Sequence, residues 1–141
     1  MAYTVGEMAR RLGVPASTIR YYDKEGLLPF VGRSSGGIRV FTEKDFEWLR
    51  IIECLKKTGM SLKDIREYIE LAMQGDETIA RRLELFRKQR TVLETRMAEL
   101  QQTIDTLDYK CWFYETAAAR GSTEGISDLP DETLPLSLIH I

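Results

Sequence analysis

Apolar side chains recur in alternating steps of four and three residues over the second half of this 141-residue chain. The pattern runs without a slip from Ile79 to Ala118, with Arg90 as its one polar member. Such steps are the heptad spacing, which places apolar side chains along one seam of a helix. At ~1.5 Å per residue the helix is about 60 Å long, and too little chain remains to cover its seam. The sequence therefore predicts a coiled coil with a second copy of the protein.

The predicted dimerisation contacts are the apolar members of this seam: Ile79, Leu83, Phe86, Leu93, Met97, Leu100, Ile104 and Leu107. Cys111 lies on the same seam, where a small apolar side chain needs no further role. The alternative to a dimer is an intramolecular hairpin, in which the helix predicted over 61–73 covers the seam.

Capping boxes mark three helix starts in the first half of the chain: Thr4-x-x-Glu7, Thr42-x-x-Asp45 and Ser61-x-x-Asp64. In each box a hydroxyl caps a backbone amide, and an acid favours the positive end of the helix. Together with the apolar spacing, these signals predict helices over about 4–13, 16–25, 42–57 and 61–73.

A tight turn, Gly13-Val14-Pro15, joins the first two of these helices, as in helix-turn-helix units. Two apolar runs over 28–31 and 38–41 then flank a Gly/Ser loop, which predicts a β-hairpin. A hairpin directly after a helix-turn-helix is a wing. The first part of the chain is therefore predicted to be a winged helix-turn-helix head.

The second helix of this head carries side chains that suit reading DNA. A helix in the major groove reads base edges from its N-terminal half, where Ser17, Thr18 and Arg20 stand. We expect Arg20 to pair bidentately with guanine. The alternative for Arg20 is an ion pair with Asp23 or with the acidic neighbours of Lys24.

Contacts with the DNA backbone are expected from several parts of the head: Thr4 at its start, Tyr21, Tyr22 and Lys24 on the second helix, and Arg33, Gly37 and Arg39 in the wing. The tyrosine hydroxyls would donate to phosphates, although one ring of an adjacent pair is expected in the core. The wing arginines would straddle the backbone, and Gly37 would allow a close approach. The alternative is an ordinary solvated hairpin.

The charge distribution favours an anionic partner at the head. Residues 1–41 carry a net charge of +3, whereas residues 76–141 carry −4. No apolar run is long enough for a membrane span, and two cysteines are too few for a disulfide framework, so we expect a cytoplasmic protein that does not use a membrane. The single histidine, His140, lies near the end, so no base is at hand for a cysteine-dependent enzyme, and no enzymatic activity is expected.

Four segments carry a resemblance to a known family: TVGEMA (4–9), STIRYYDKEGLL (17–28), GIRVF (37–41) and SLKDI (61–65). In this order they resemble the MerR family of bacterial transcriptional regulators. The resemblance implies a mainly α fold, with a winged helix-turn-helix head and a long antiparallel coiled-coil dimerisation helix. It also implies a homodimer on double-stranded palindromic promoter DNA, which it distorts so that RNA polymerase can use both promoter elements.

The chain departs from the family pattern at three positions of the head. Pro15 stands where the family often has a serine or threonine cap, and Ile38 and Phe41 stand where the wing usually carries tyrosine. We expect weaker individual phosphate contacts there and an unchanged architecture. The predicted domains are the head over 1–73, the coiled-coil dimerisation helix over 76–119 and a flexible tail over 120–141.

The predicted sensor is a thiol. Metal sensors of the family carry cysteines at the start of the dimerisation helix and in the loop after it, and this chain has none there, so neither a metal site nor a cofactor is expected. The segment 51–60, with Cys54, resembles the subgroup that responds to aldehydes and other thiol-reactive electrophiles, as do 75–78 and 107–110. Arg50 and Lys57 can share the helix face of Cys54 and favour its reactive form. The alternatives are a merely packed Cys54 and, for the whole chain, a coiled-coil interaction protein with a degenerate head.

Overall fold

The structure, a computed structural model, describes residues 2–129, in which five α-helices accompany one two-stranded antiparallel sheet. The elements in chain order are α1 (Val5–Leu12), α2 (Ala16–Lys24), β1 (Gly32–Arg33), β2 (Arg39–Val40), α3 (Glu43–Lys57), α4 (Leu62–Met73) and α5 (Ile79–Arg120). Short 3-10 helices occupy Asp76–Thr78 and Ile126–Asp128. The chain divides into two compact units, with the boundary after Gln89. The predicted mainly α fold, with a winged helix-turn-helix head and a long C-terminal helix, is confirmed.

The capping signals fix where the helices begin. At Thr4 and Thr42 the hydroxyl accepts from the amide three residues on, and the acid at that position accepts from the threonine amide in return. Ser61 likewise accepts from the Asp64 amide at 3.1 Å. Pro15 precedes α2 without a side-chain cap, since proline has no hydroxyl to accept from a backbone amide.

The turn between α1 and α2 depends on Gly13. Its φ of 76° lies in the left-handed region, which a glycine adopts without steric cost. The amides of Gly13 and Val14 then both donate to the carbonyl of Ala9, at 2.9 and 3.1 Å. These bonds satisfy the end of α1 and turn the chain directly into α2.

One apolar core joins the first four helices to the base of the wing. Its members lie on every one of these elements: Met8, Ala9, Ile19, Tyr22, Leu27, Leu28, Val31, Phe41, Leu49, Ile52, Met60, Ile65 and Ile69. Full burial of one large aliphatic side chain contributes roughly 1.5–3 kcal/mol, so this cluster is sufficient to hold α2 and the wing in one orientation.

The wing is a hairpin, but its first strand differs from the prediction over 28–31. Leu28 and Val31 are buried in the core, and the strand begins only at Gly32, which pairs with Val40. An apolar run can be a strand or a core-lining loop, and periodicity alone does not separate the two. Phe41 also exchanges two backbone hydrogen bonds with Tyr3, which ties the wing to the start of the chain.

The unit after Gln89 consists of the greater part of α5 and the segment that follows it. The tail predicted over 120–141 has folded structure at its start, because Ile126 lies in a 3-10 helix and is buried. The rest of the predicted tail, including the apolar residues over 136–141, lies outside the described residues. Over residues 2–129 no helix is both long and apolar enough to cross a lipid bilayer.

Candidate DNA-binding surface

The sequence of α2 gives this helix one buried face and one polar face. Ile19 and Tyr22 are almost fully buried, and they hold the helix against the core. The side chains predicted to meet DNA lie mostly opposite: Ser17, Arg20, Tyr21 and Lys24 are exposed, and Thr18 is half-buried. The helix therefore presents hydroxyls and cations outward, as groove reading requires.

A cleft of about 400 Å³ lies between the start of α1, helix α2 and the wing. Five residues predicted to contact DNA line it together: Thr4, Arg20, Arg33, Gly37 and Arg39. The cleft thus combines three arginines with a single acid, Asp23. A concave site of this charge attracts the phosphate backbone of DNA, and it lies beside the face of α2 that would read the bases.

Asp23 fastens the wing to α2. Its carboxylate accepts from Nε of Arg39 at 3.0 Å and also from Nη2, while Nη2 of Arg33 lies 3.8 Å away. Nη1 of Arg39 donates to the Val31 carbonyl at 2.6 Å. Since Asp23 serves the wing arginines, the alternative of an Arg20–Asp23 ion pair is wrong, and the ion pairs of residues 2–129 do not include Arg20.

This geometry corrects the role expected of Arg39. All three nitrogen atoms of the guanidinium already donate to groups inside the head, so at most two of its five N–H groups can be offered to a phosphate. Arg33 is more available to a phosphate, because its side chain is over half exposed. Its Nη1 also donates to the Gly37 carbonyl at 2.7 Å, which holds the wing loop. Gly37 has a φ of 80°, which explains why a glycine stands at this turn.

The prediction that Tyr22 donates to a phosphate is also wrong. The ring is buried, and the hydroxyl donates to Oε1 of Glu53 and accepts from Nζ of Lys56 at 2.8 Å. Burial raises the pKa of Tyr22, and the hydrogen bond to Glu53 raises it further. The expectation that one tyrosine of the pair lies in the core and the other at the surface is confirmed, because Tyr21 is 48% exposed.

The roles of Asp23, Glu53 and Lys56 in the head were not predicted from the sequence, where Asp23 was considered only as an ion-pair partner of Arg20. Asp23 lies within the α2 motif quoted above, next to residues expected to bind DNA, and this position could have marked it as a functional residue. Glu53 and Lys56 lie three residues apart on α3, which places them on one face of the helix. Nothing in the sequence indicates that this face meets the hydroxyl of Tyr22.

Loss of the Asp23 carboxylate is expected to weaken DNA binding, although the change makes the head more positive. In Asp23→Asn the wing loses its charged link to α2, and we expect an affinity about tenfold lower by fluorescence anisotropy with a promoter fragment. Glu25→Gln, at the residue directly after α2, is the control for charge, and we expect it to bind as well as the wild type or better. Equal binding by both variants would show that Asp23 does not position the wing.

Both cysteines are exposed thiols. Cys54 lies in a shallow depression of α3, together with Glu47, Arg50 and Ile51, so one of the two predicted cations is beside it. Cys111 lies on α5. Among residues 2–129, no three histidine, cysteine or acidic side chains are grouped so that they could hold a metal ion.

The predicted seam of α5 is exposed to solvent in the single chain. Among its eight apolar members the exposed fraction ranges from 36% at Phe86 to 69% at Met97. The intramolecular hairpin predicts that these residues are covered, and their exposure contradicts it. Within the first unit, α4 contacts one seam residue through the Tyr68–Phe86 ring pair. An apolar stripe of this length on a helix is typical of a protein interface.

Comparison with known proteins agrees with this architecture. The chain matches the family described as MerR HTH family regulatory protein over residues 3–72, and the one described as MerR, DNA binding over residues 46–109. It is 48% identical over 127 residues to an HTH-type transcriptional regulator of Haemophilus influenzae, covering 90% of this chain and 94% of the relative. It is 33% identical to the HTH-type transcriptional regulator ZntR of Escherichia coli, over 70% of this chain and 71% of that one.

Solved structures give the same result. HiNmlR, a MerR family regulator lacking the sensor domain and bound to promoter DNA, is 49% identical, with a TM-score of 0.63, over 88% of this chain and 98% of that chain. A MerR family regulator from Listeria monocytogenes is 32% identical, with a TM-score of 0.67, over 89% of this chain and 95% of that chain. With its winged head, its arginine-lined cleft and these relatives, the chain belongs to the MerR family and is a DNA-binding transcriptional regulator.

Proposed function

We propose that the protein acts as a homodimer whose two heads bind the two halves of a palindromic promoter site. The observation that carries this proposal is the cleft that gathers Arg20, Arg33 and Arg39 beside the polar face of α2. One head offers one such surface, so a two-fold dimer offers two surfaces for two half-sites. HiNmlR, whose fold this chain resembles, is bound to promoter DNA in its structure, which supports the same partner here.

The dimer contact is proposed along the exposed seam of α5. A helix of 42 residues with a continuous apolar stripe gains stability when a second such stripe covers it, and an antiparallel pair keeps the two heads apart. The head over 1–73 and the coiled coil over 76–119 would then have separate tasks, DNA binding and assembly.

Regulation is proposed to work through deformation of the promoter. Two heads fixed to one coiled coil hold their half-sites at a set distance, so a change in the dimer bends or twists the DNA between them. The altered spacing of the promoter elements would then decide whether RNA polymerase can use them.

A gel shift with genomic fragments at several salt concentrations tests the regulator against its rival, a coiled-coil interaction protein. Binding through arginine–phosphate contacts must weaken as salt rises, because counterions are released on binding. We expect one retarded species with dimer stoichiometry and a steep salt dependence. A dimer that shows no salt-sensitive DNA binding would favour the interaction protein.

Cys54 is the proposed sensor thiol, and aldehydes or other thiol-reactive electrophiles are the proposed effectors. Its exposure makes it accessible to small reagents, and the depression in which it lies is open enough to admit them. The position on α3 adds a second argument, since the preceding residue, Glu53, is bonded to Tyr22 of α2. A modification at Cys54 therefore occurs one residue from a link to the DNA-reading helix.

Replacement of the thiol is expected to separate DNA binding from sensing. Cys54→Ser should bind the promoter as the wild type does, because the side chain lies outside the cleft, and it should lose the transcriptional response to a short-chain aldehyde. Transcription in vitro, with and without the aldehyde, measures both properties. Cys111→Ser is the matched control and should respond normally. A full response from Cys54→Ser would refute the sensor assignment.

A further inference from the structure

Four aromatic side chains form a continuous ladder through the head. Phe30, in the segment between α2 and β1, stacks on Trp48 of α3 with ring centroids 5.6 Å apart. Trp48 contacts Tyr68 of α4 at 6.2 Å, and Tyr68 contacts Phe86 of α5 at 5.0 Å. Each spacing lies within the range in which aromatic pairs attract one another. The ladder thus joins four elements that are distant in sequence.

The first end of the ladder holds the base of the wing. Phe30 directly precedes Val31, which is buried and whose carbonyl accepts from Nη1 of Arg39 at 2.6 Å. Arg39 in turn bonds to Asp23 of α2. The ring of Phe30 therefore fixes the segment from which a cleft arginine is held, although the ring itself does not line the cleft.

The other end of the ladder reaches the proposed dimer contact. Phe86 is a member of the apolar seam and is 36% exposed, the least of the large seam residues. Its ring is partly covered by Tyr68 of the same chain and leaves the rest of its surface to the seam. A partner helix on the seam would therefore press on the last ring of the ladder.

The ladder is an addition to the core and not a part of it. Leu49 and Ile52 of α3 are completely buried, whereas Phe30, Trp48 and Tyr68 are only partly buried and pack on the outside of that core. Aromatic rings are rigid and close-packed, so a displacement of one ring must be accommodated by the next. This arrangement is suited to transmitting a displacement of Phe86 to Phe30.

We propose that Phe86 is a positioning residue for DNA binding, through which the partner subunit, by way of Tyr68, Trp48 and Phe30, sets the base of the wing and Arg39. The proposal rests on the homodimer of the proposed function and goes beyond it. It states that dimerisation raises the affinity of each head for its own half-site, in addition to bringing two heads together.

The first test keeps the seam apolar and removes only the ring. Phe86→Leu and Phe86→Tyr are both expected to remain dimers in sedimentation. Phe86→Leu should bind a DNA fragment with a single half-site about three- to tenfold more weakly, whereas Phe86→Tyr, which retains the ring, should bind as the wild type does. Gln102→Ala changes α5 outside both the seam and the ladder and should leave half-site binding unchanged.

Tyr68→Leu provides a second test that leaves the seam alone, and it decides the matter if Phe86→Leu proves monomeric. We expect a dimer with the same three- to tenfold loss of half-site affinity. Wild-type half-site affinity in Tyr68→Leu, or in a dimeric Phe86→Leu, would overturn the proposal while leaving the dimeric regulator intact. A wild-type protein that is monomeric when bound to DNA would overturn the homodimer itself.

Fluorescence supplies a measurement that a purely structural role would not affect. The chain has two tryptophans, so Trp48 is the only one left in Trp112→Phe. We expect the emission of Trp48 to change when this variant is diluted from dimer to monomer, and the change to be absent in the additional presence of Tyr68→Leu. Identical Trp48 emission in dimer and monomer would count against the relay.

Discussion

Leu100→Asp is expected to convert the protein to monomers. Leu100 lies near the middle of the α5 seam and is 63% exposed in the single chain, so the proposed dimer buries it. A carboxylate at that place would have to lose its water without gaining a partner, which costs several kcal/mol. We expect the dimer to dissociate on the order of 100-fold more readily, as measured by sedimentation equilibrium.

The same variant is expected to lose DNA affinity on a palindromic site. A monomer brings one head to the DNA, and without the linked second head the gain of about 10²–10⁴ from two-site binding is lost. Gln102→Asp introduces the same charge two residues away, at the position farthest from the seam, and should leave both dimer and DNA binding unchanged. A stable Leu100→Asp dimer would refute the seam assignment.

Arg20→Ala is expected to remove sequence-specific binding and to leave the dimer intact. Arg20 is exposed on α2, lines the cleft and belongs to no ion pair of the described chain, so the fold does not depend on its charge. A bidentate arginine–guanine contact contributes about 1–3 kcal/mol of discrimination, and a two-fold dimer makes the contact twice. We expect at least about a 30-fold loss of affinity for the promoter by anisotropy.

Competition with random-sequence DNA distinguishes base recognition by Arg20 from non-specific binding to phosphates. If Arg20 reads a base, its loss brings the affinity for promoter DNA closer to the affinity for random DNA. Loss of a phosphate contact instead lowers the two affinities by the same factor. Arg81→Ala removes an exposed arginine of α5 outside the cleft and should leave the ratio of promoter affinity to random-DNA affinity unchanged. An Arg20→Ala protein with full preference for its promoter would exclude Arg20 from base reading.

The helices and the wing were largely predictable because their signals are local. A hydroxyl at Thr4 or Thr42 and an acid three residues later act within one helical turn, and the structure contains both capping boxes. The heptad seam is equally local, since each step of three or four lies on one helix. The family resemblance added two expectations, the antiparallel pairing of the long helices and the palindromic promoter DNA.

The errors share a physical cause, which is that long-range partners do not appear in a local pattern. Tyr22 bonds to a residue 31 positions away, and Arg39 bonds to one 16 positions away. Both looked like surface donors because their side chains can bind phosphate. The apolar run at 28–31 failed similarly, since only the closed core reveals that Leu28 and Val31 are inward loop residues.

The Asp23 link between α2 and the wing has a consequence for retargeting the protein to a new operator. Ser17, Thr18 and Arg20 can be exchanged without touching the bonds that hold the wing, because these bonds begin at position 23. A library of variants confined to Ser17, Thr18 and Arg20 should therefore yield regulators that prefer new DNA sequences and keep the fold of the head unchanged. A library that includes position 23 would mix changes in preference with failures of assembly.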